Sequence, residues 1–141
     1  MKITREIYNS ILQKCSGFSV ETGGIIGGKN NIISEFEFDM GTNSSTEWNY
    51  YPDVERLNSC IENWQNEDVE FYGIIHSHFQ DTQQLSFGDG MYIQKIMLSM
   101  PAHINHLYFP IVLPQREIIA FRAIRLESEI NIIKDDIKIV K

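Results

Sequence analysis

A chain of 141 residues, 43% hydrophobic and 22% charged, has the length and balance of one globular domain with a core of its own. Its net charge of −7, without a basic patch or an interleaved basic and aromatic run, argues against a nucleic-acid partner and weakly favours a partner with a basic face. No apolar run approaches the roughly 20 residues of a spanning helix, so no membrane association is expected.

The N-terminal stretch, MKITREIYNSILQKC, carries charges and amides through its apolar positions and no small-residue cleavage site, unlike a signal peptide. Cys15 and Cys60 are far apart and both fall in helical patterning, so no disulfide framework is expected and the reducing cytoplasm is the default location. Ile3, Ile7, Ile11 and Leu12 recur at helical spacing, which predicts an amphipathic helix over 4–15 with Gly17 as its stop.

Residues 21–28, ETGGIIGG, are predicted as a strand, and Lys29-Asn30-Asn31 as a turn of residues tolerant of positive φ. Residues 32–40 continue as a second strand, with Ile33, Glu35, Glu37 and Asp39 on one side and Ile32, Ser34, Phe36 and Phe38 on the other, completing a hairpin. Glycine inside a strand costs stability and marks a close approach by another backbone or a ligand. The spacing G-G-I-I-G-G lacks both the Lys-Ser/Thr of a phosphate loop and the G-x-G-x-x-G order of a dinucleotide fold. Beside a metal, such a strand suits an extended peptide.

A polar connection over 41–51 leads to Pro52, which suits the first turn of a helix reaching about Gln65 through Val54, Leu57, Ile61 and Trp64. Trp48, Tyr50 and Tyr51 either line a groove or pack the helix start onto the sheet.

Tyr72 to Ile75 reads as a buried strand ending in His76-Ser77-His78. Residues i and i+2 of a strand share a face, so both imidazoles reach one ion from a rigid sheet. Order resumes at Ser86-Phe87-Gly88-Asp89, a helix capping sequence ahead of the periodic Met91, Ile93, Ile96, Met97 and Met100, which puts Asp89 in the first turn. Two imidazoles and one carboxylate, with a fourth position left to water, is the ligand count of a catalytic zinc rather than a closed structural one.

A lone histidine at a strand end is ordinarily a hydrogen-bonded residue, and a lone serine before a helix is ordinarily a cap. Together, His-x-His-x7-Ser-x2-Asp arises in a shuffled chain of this composition with a chance on the order of a few in ten thousand, so the spacing is a signal. The order H-x-H-x-D-H of metallo-β-lactamases and the H-x-E with later P-C-x-x-C of nucleoside deaminases are both absent.

Residues 105–112 and 117–126 are predicted as strands joined by the turn Leu113-Pro114-Gln115-Arg116, with Pro110 at an edge or bulge. His103 and His106 have no carboxylate at a matching spacing and read as structural or solvent-facing. The tail from Glu129 to Lys141 alternates isoleucines with polar residues, consistent with a final strand pair.

The run His76-Ser77-His78, seven residues, Ser86, two residues, Asp89 resembles the signature of the JAB/MPN metalloprotease family, the JAMM motif, in its compact bacterial form. Glu21 in VETGGIIGG resembles the glutamate that this family carries on an earlier strand, and the resemblance spans nearly the whole chain. Phe79 stands where the family often has proline after the second histidine, which alters the loop and removes no ligand. The resemblance implies a single α/β domain over residues 1–141, an MPN-like central mixed β-sheet flanked by helices in a cytidine-deaminase-like layered architecture. It implies Zn²⁺ on His76, His78 and Asp89, Glu21 as general base, and Ser86 as donor to the oxyanion of an amide undergoing hydrolysis. The implied substrate is a ubiquitin-like or sulfur-carrier protein, cut after its C-terminal glycine, with E1-like and E2-like enzymes as partners. Two further readings stay open: a zinc hydrolase of small amides or peptides, and a metal-free MPN scaffold.

Overall fold

The computed structural model describes residues 1–46, 49–78 and 83–141. Along the chain run β1 (Lys2–Thr4), α1 (Arg5–Lys14), β2 (Gly23–Lys29), β3 (Ile32–Asp39), α2 (Val54–Asn66), β4 (Glu70–Ser77), α3 (Phe87–Ser99), β5 (His106–Tyr108), β6 (Ile111–Leu113), β7 (Glu117–Leu126), β8 (Glu129–Asp135) and β9 (Lys138–Val140). The nine strands of the described residues form one mixed sheet: β9, β1, β3, β2 and β4 lie side by side, β5 and β6 both join β4 to β7, and β8 closes the far side on β7. The chain is therefore mixed α/β, as expected. No helix of the described residues is long and apolar enough to cross a membrane.

The strand period assigns the two faces. On one, Ile11 and Cys15 of the α1 segment bury against Ile3, Ile26, Ile33, Ile75 and Val112. On the other, Leu57 and Trp64 of α2 pack on Ile25 with Ile74 beside them, and Ile93 and Met97 of α3 pack on Leu107, Phe109 and Ala123. Within β4, Ile75 thus faces α1 while Ile74 faces α2 and α3, and His76 shares the face of Ile74.

Several elements depart from expectation. β1 precedes α1 where only a helix start was read, because three residues are too few to display a period; Thr4 ends it and caps α1, accepting from the Ile7 N–H at 3.3 Å. Asp53, not Pro52, sits at the boundary of α2, accepting from the Arg56 N–H. On β3 the pairing jumps from Gly27↔Glu35 to Gly28↔Ile33, so Ser34 is an extra residue and Ile33 joins the face of Phe36 and Phe38. The tail does form two strands, but they do not pair with each other: β8 lies on β7 and β9 on β1. Phe109-Pro110 divides the strand expected over 105–112 into β5 and β6, since proline has no N–H for the ladder.

The glycine strand is the other correction. β2 is hydrogen-bonded to β3 on one side and β4 on the other, so it has no free edge for an extended peptide. What approaches closely is the protein itself: a Cβ at Gly23 would lie 2.8 Å from the Tyr50 ring.

Gly73, in the middle of β4, has φ +155°, and a Cβ there would drive into the backbone carbonyl of Tyr108 on β5. Gly73→Ala is expected to destabilise the protein by about 3 kcal/mol through strain and overpacking, measured as a lowered urea midpoint with an unchanged m-value.

Candidate metal centre

The centre forms where β4 ends and α3 begins. Parallel β6 holds the strand end: the His76 N–H donates to Pro110 O at 3.3 Å and the His78 N–H to Val112 O at 2.9 Å. The two side chains point the same way, their rings 4.6 Å apart between centroids and their Nε2 atoms 2.8 Å apart.

α3 brings the third ligand. Ser86 and Asp89 make a reciprocal capping box, the Asp89 N–H donating to Ser86 Oγ at 3.0 Å and the Ser86 N–H to Asp89 Oδ2 at 2.9 Å. The same carboxylate faces the imidazoles, with Oδ1 3.3 Å from His76 Nε2 and Oδ2 3.1 Å from His78 Nε2. Among the described residues, His76, His78 and Asp89 are the one group of three or more metal-ligating side chains that converge, all donor atoms lying within 4.8 Å of one another.

These donors could hold a metal ion, and two imidazoles with one carboxylate are donors that zinc accepts. Ligands bound at about 2.0–2.2 Å around a tetrahedral centre stand roughly 3.3 Å apart; here the two Nε2 atoms are 2.8 Å apart, each has an Asp89 oxygen within 3.3 Å, and one donor atom from each residue lies within 4.8 Å of the others. A metal held through both Nε2 atoms would require the ring proton of each imidazole to sit on Nδ1.

The charge balance favours an anion here. Burial opposes the Asp89 carboxylate, but hydrogen bonds from both imidazoles and the Ser86 N–H hold it well below the usual carboxylate range. The N-terminal end of α3 adds its positive dipole.

Glu21 lies two residues ahead of β2 rather than within it. The ladder nonetheless continues past the strand end, Gly23 opposite His76 and Thr22 bonded to Ser77 in both directions, at 2.7 Å to Thr22 O and 2.9 Å from Thr22 N to Ser77 Oγ. Extending the register by one puts Glu21 opposite His78 and on its face. Its N–H donates to Thr46 O at 2.8 Å, and the residue is only 5% exposed. Burial pushes its carboxyl up to about 7, the His78 charge pulling it down and the Asp89 charge pushing it further up.

The five residues expected from the sequence are therefore gathered at one place: three as converging donors, Ser86 bonded to one of them, and Glu21 across the ladder. His103 is exposed and His106 half-buried, and neither enters a metal-ligating group.

A cavity of about 260 Å³ adjoins the centre, lined by His76 and Asp89 and by Tyr50, Tyr51, Tyr92 and Phe109 among others. Of the aromatics read as either lining a groove or packing the helix start, Tyr50 and Tyr51 line this cavity, while Trp48 lies outside the described residues, as does Phe79. Tyr50 is fixed by a clamp that the sequence did not disclose. Its hydroxyl donates to Asp39 Oδ2 at 2.6 Å, and buried Asp39 also accepts from the Asp53 N–H and, through Oδ1, from Arg56 at 3.0 Å each. An aspartate at a strand end carries no sequence signal for this role; only the pairing of Asp39 with Gly23 brings it under Tyr50.

A carboxyl kept neutral in the folded state and ionised in the unfolded state costs stability as pH rises between about 4.5 and about 7. In metal-free protein, Glu21→Gln is therefore expected to match the parent at pH 4 and to be more stable by up to about 3 kcal/mol at pH 8, read from urea midpoints at the two pH values.

No family model matches the chain, and neither does any curated protein. Solved structures do. One is the solution structure of a protein from Desulfitobacterium hafniense, 12% identical, with a TM-score of 0.72 over 99% of this chain and 92% of that one. Another is a protein from Salinibacter ruber, 14% identical, with a TM-score of 0.56 over the same shares. At these identities the likeness concerns the fold alone.

Proposed function

We propose that the protein is a zinc-dependent amide hydrolase of the JAB/MPN type, cleaving after the C-terminal glycine of a ubiquitin-like or sulfur-carrier protein. The observation that carries this reading is the convergence of His76, His78 and Asp89 on one point with a buried Glu21, its carboxyl pushed up to about 7, across the ladder. The MPN-like layering and the bacterial conjugation or sulfur-transfer setting rest on the motif resemblance.

Zinc held by His76, His78 and Asp89 would act as a Lewis acid, lowering the pKa of a water to about 7 and polarising the scissile carbonyl. Glu21 is suited to the proton traffic. With a carboxyl near 7 it accepts the proton of the attacking water and returns it to the nitrogen as the C–N bond breaks, so no covalent intermediate is needed. The Ser86 hydroxyl accepts from the Asp89 N–H, which orients it and leaves its own proton to donate to the oxyanion.

A preparation loaded with zinc is expected to hold about one ion per chain by elemental analysis, and His76→Ala or His78→Ala to lose it. Glu21→Gln is expected to keep the metal and lose hydrolysis of a modifier fusion. Ser86→Ala is expected to slow turnover by roughly 10²–10³-fold. Full activity in Glu21→Gln removes the assigned base. Turnover of short amides with no gain from an attached folded modifier assigns the small-substrate reading, and a metal-free protein with unchanged melting after chelation assigns the scaffold.

A further inference from the structure

The cavity beside His76 and Asp89 is built for more than a glycine tail. Ile74, Ile93 and the aromatic residues Tyr50, Tyr92 and Phe109 line it together with the ligand pair His76 and Asp89. At about 260 Å³ it lies just under the roughly 300–1,000 Å³ of sites for drug-sized ligands, so it holds one side chain rather than a folded surface. The walls are rigid as well as apolar. Tyr50 is tied to Asp39, and Ile93 is 2% exposed in the α3 core cluster. Burial raises both the Tyr50 and Tyr92 phenols, so neither carries charge at neutral pH. The acidic or basic residues of the lining are His76 and Asp89, the residues beside which an amide would be cut.

We propose that this cavity is a specificity subsite that takes an apolar or aromatic side chain from the residue on the leaving-amine side of the hydrolysed bond. This rests on the hydrolase reading, which puts glycine, with no side chain to fill a cavity, on the acyl side. Water adds to the carbonyl carbon, the C–N bond breaks, and the departing residue carries the new amine away with its side chain in the cavity. The substrate class is thereby narrowed to glycine-terminated segments joined to a residue with an apolar body.

Gly88 is the place to test it, because it lines the cavity and a Cβ built there meets nothing nearer than Ser86 Oγ at 3.8 Å. Leucine at this position also suits a helix better than glycine. The probes are acetyl-Gly-Xaa-amides with Xaa as Phe, Leu, Ala or Gly. In the zinc-loaded protein, kcat/KM for the Gly–Phe and Gly–Leu bonds is expected to exceed that for Gly–Gly by roughly tenfold or more. In Gly88→Leu the Phe-to-Gly ratio is expected to fall to near one. Cleavage that is equal across the series, or graded only by the acyl-side residue, overturns the subsite and leaves the hydrolase reading in place. So does a ratio that survives in a natively folded Gly88→Leu. Binding to the metal-free parent separates the two ideas independently of turnover. Saturable shifts of the Gly88 and Ile93 amide resonances with acetyl-Gly-Phe-amide, and none with acetyl-Gly-Gly-amide, support the subsite even where no peptide is cut. Their absence removes it.

Discussion

The arrangement depends on one carboxylate serving two masters. Asp89 closes the first turn of α3 by accepting from the Ser86 N–H, and the same group faces His76 and His78 at the end of β4. A helix cap is thereby joined to a strand end. The helix supplies a favourable dipole and backbone donor, and the strand supplies two imidazoles whose spacing is set by the pleat. Because the capping bond orients the aspartate before any ion arrives, little side-chain freedom is left to lose on binding.

The sheet holds its side of this junction through strands that reach the chain late. Pro110 O, just ahead of β6, and Val112 O within it receive the backbone N–H groups of His76 and His78, and Phe109-Pro110 separates β6 from β5. The break in that strand and the histidine pair thus lie at the same level of the sheet. Across β4 the glycines of β2 serve the centre by subtraction: Gly23 opposite His76 leaves room for the Tyr50 ring, which Asp39 and Arg56 anchor from β3 and α2.

Glu21 has the contrary environment to Asp89. Both are carboxyls near the same imidazoles, yet hydrogen bonds hold one well below the usual carboxylate range while burial pushes the other up to about 7. Two like groups driven apart in proton affinity by their surroundings are the usual arrangement for a ligand and a proton carrier side by side. That contrast supports the proposed hydrolase more directly than does the motif alone.

The residues of the centre were legible in the chain because their geometry is local. His76 and His78 share a strand face by period, and Ser86 and Asp89 share a helix turn by capping chemistry, so four of the five positions follow from spacing. Glu21 came only through resemblance, since nothing local distinguishes one glutamate before a glycine run. The tertiary structure decided what depends on partners distant in sequence. It made β2 a central strand without a free edge, shifted Ile33 by a bulge at Ser34, and sent β8 and β9 to opposite sides of the sheet. It also set Asp39 beneath Tyr50 and shaped the cavity beside His76. Periodicity reports which way a side chain points, whereas pairing and burial are settled only when remote segments compete for the same hydrogen bonds and the same apolar surface.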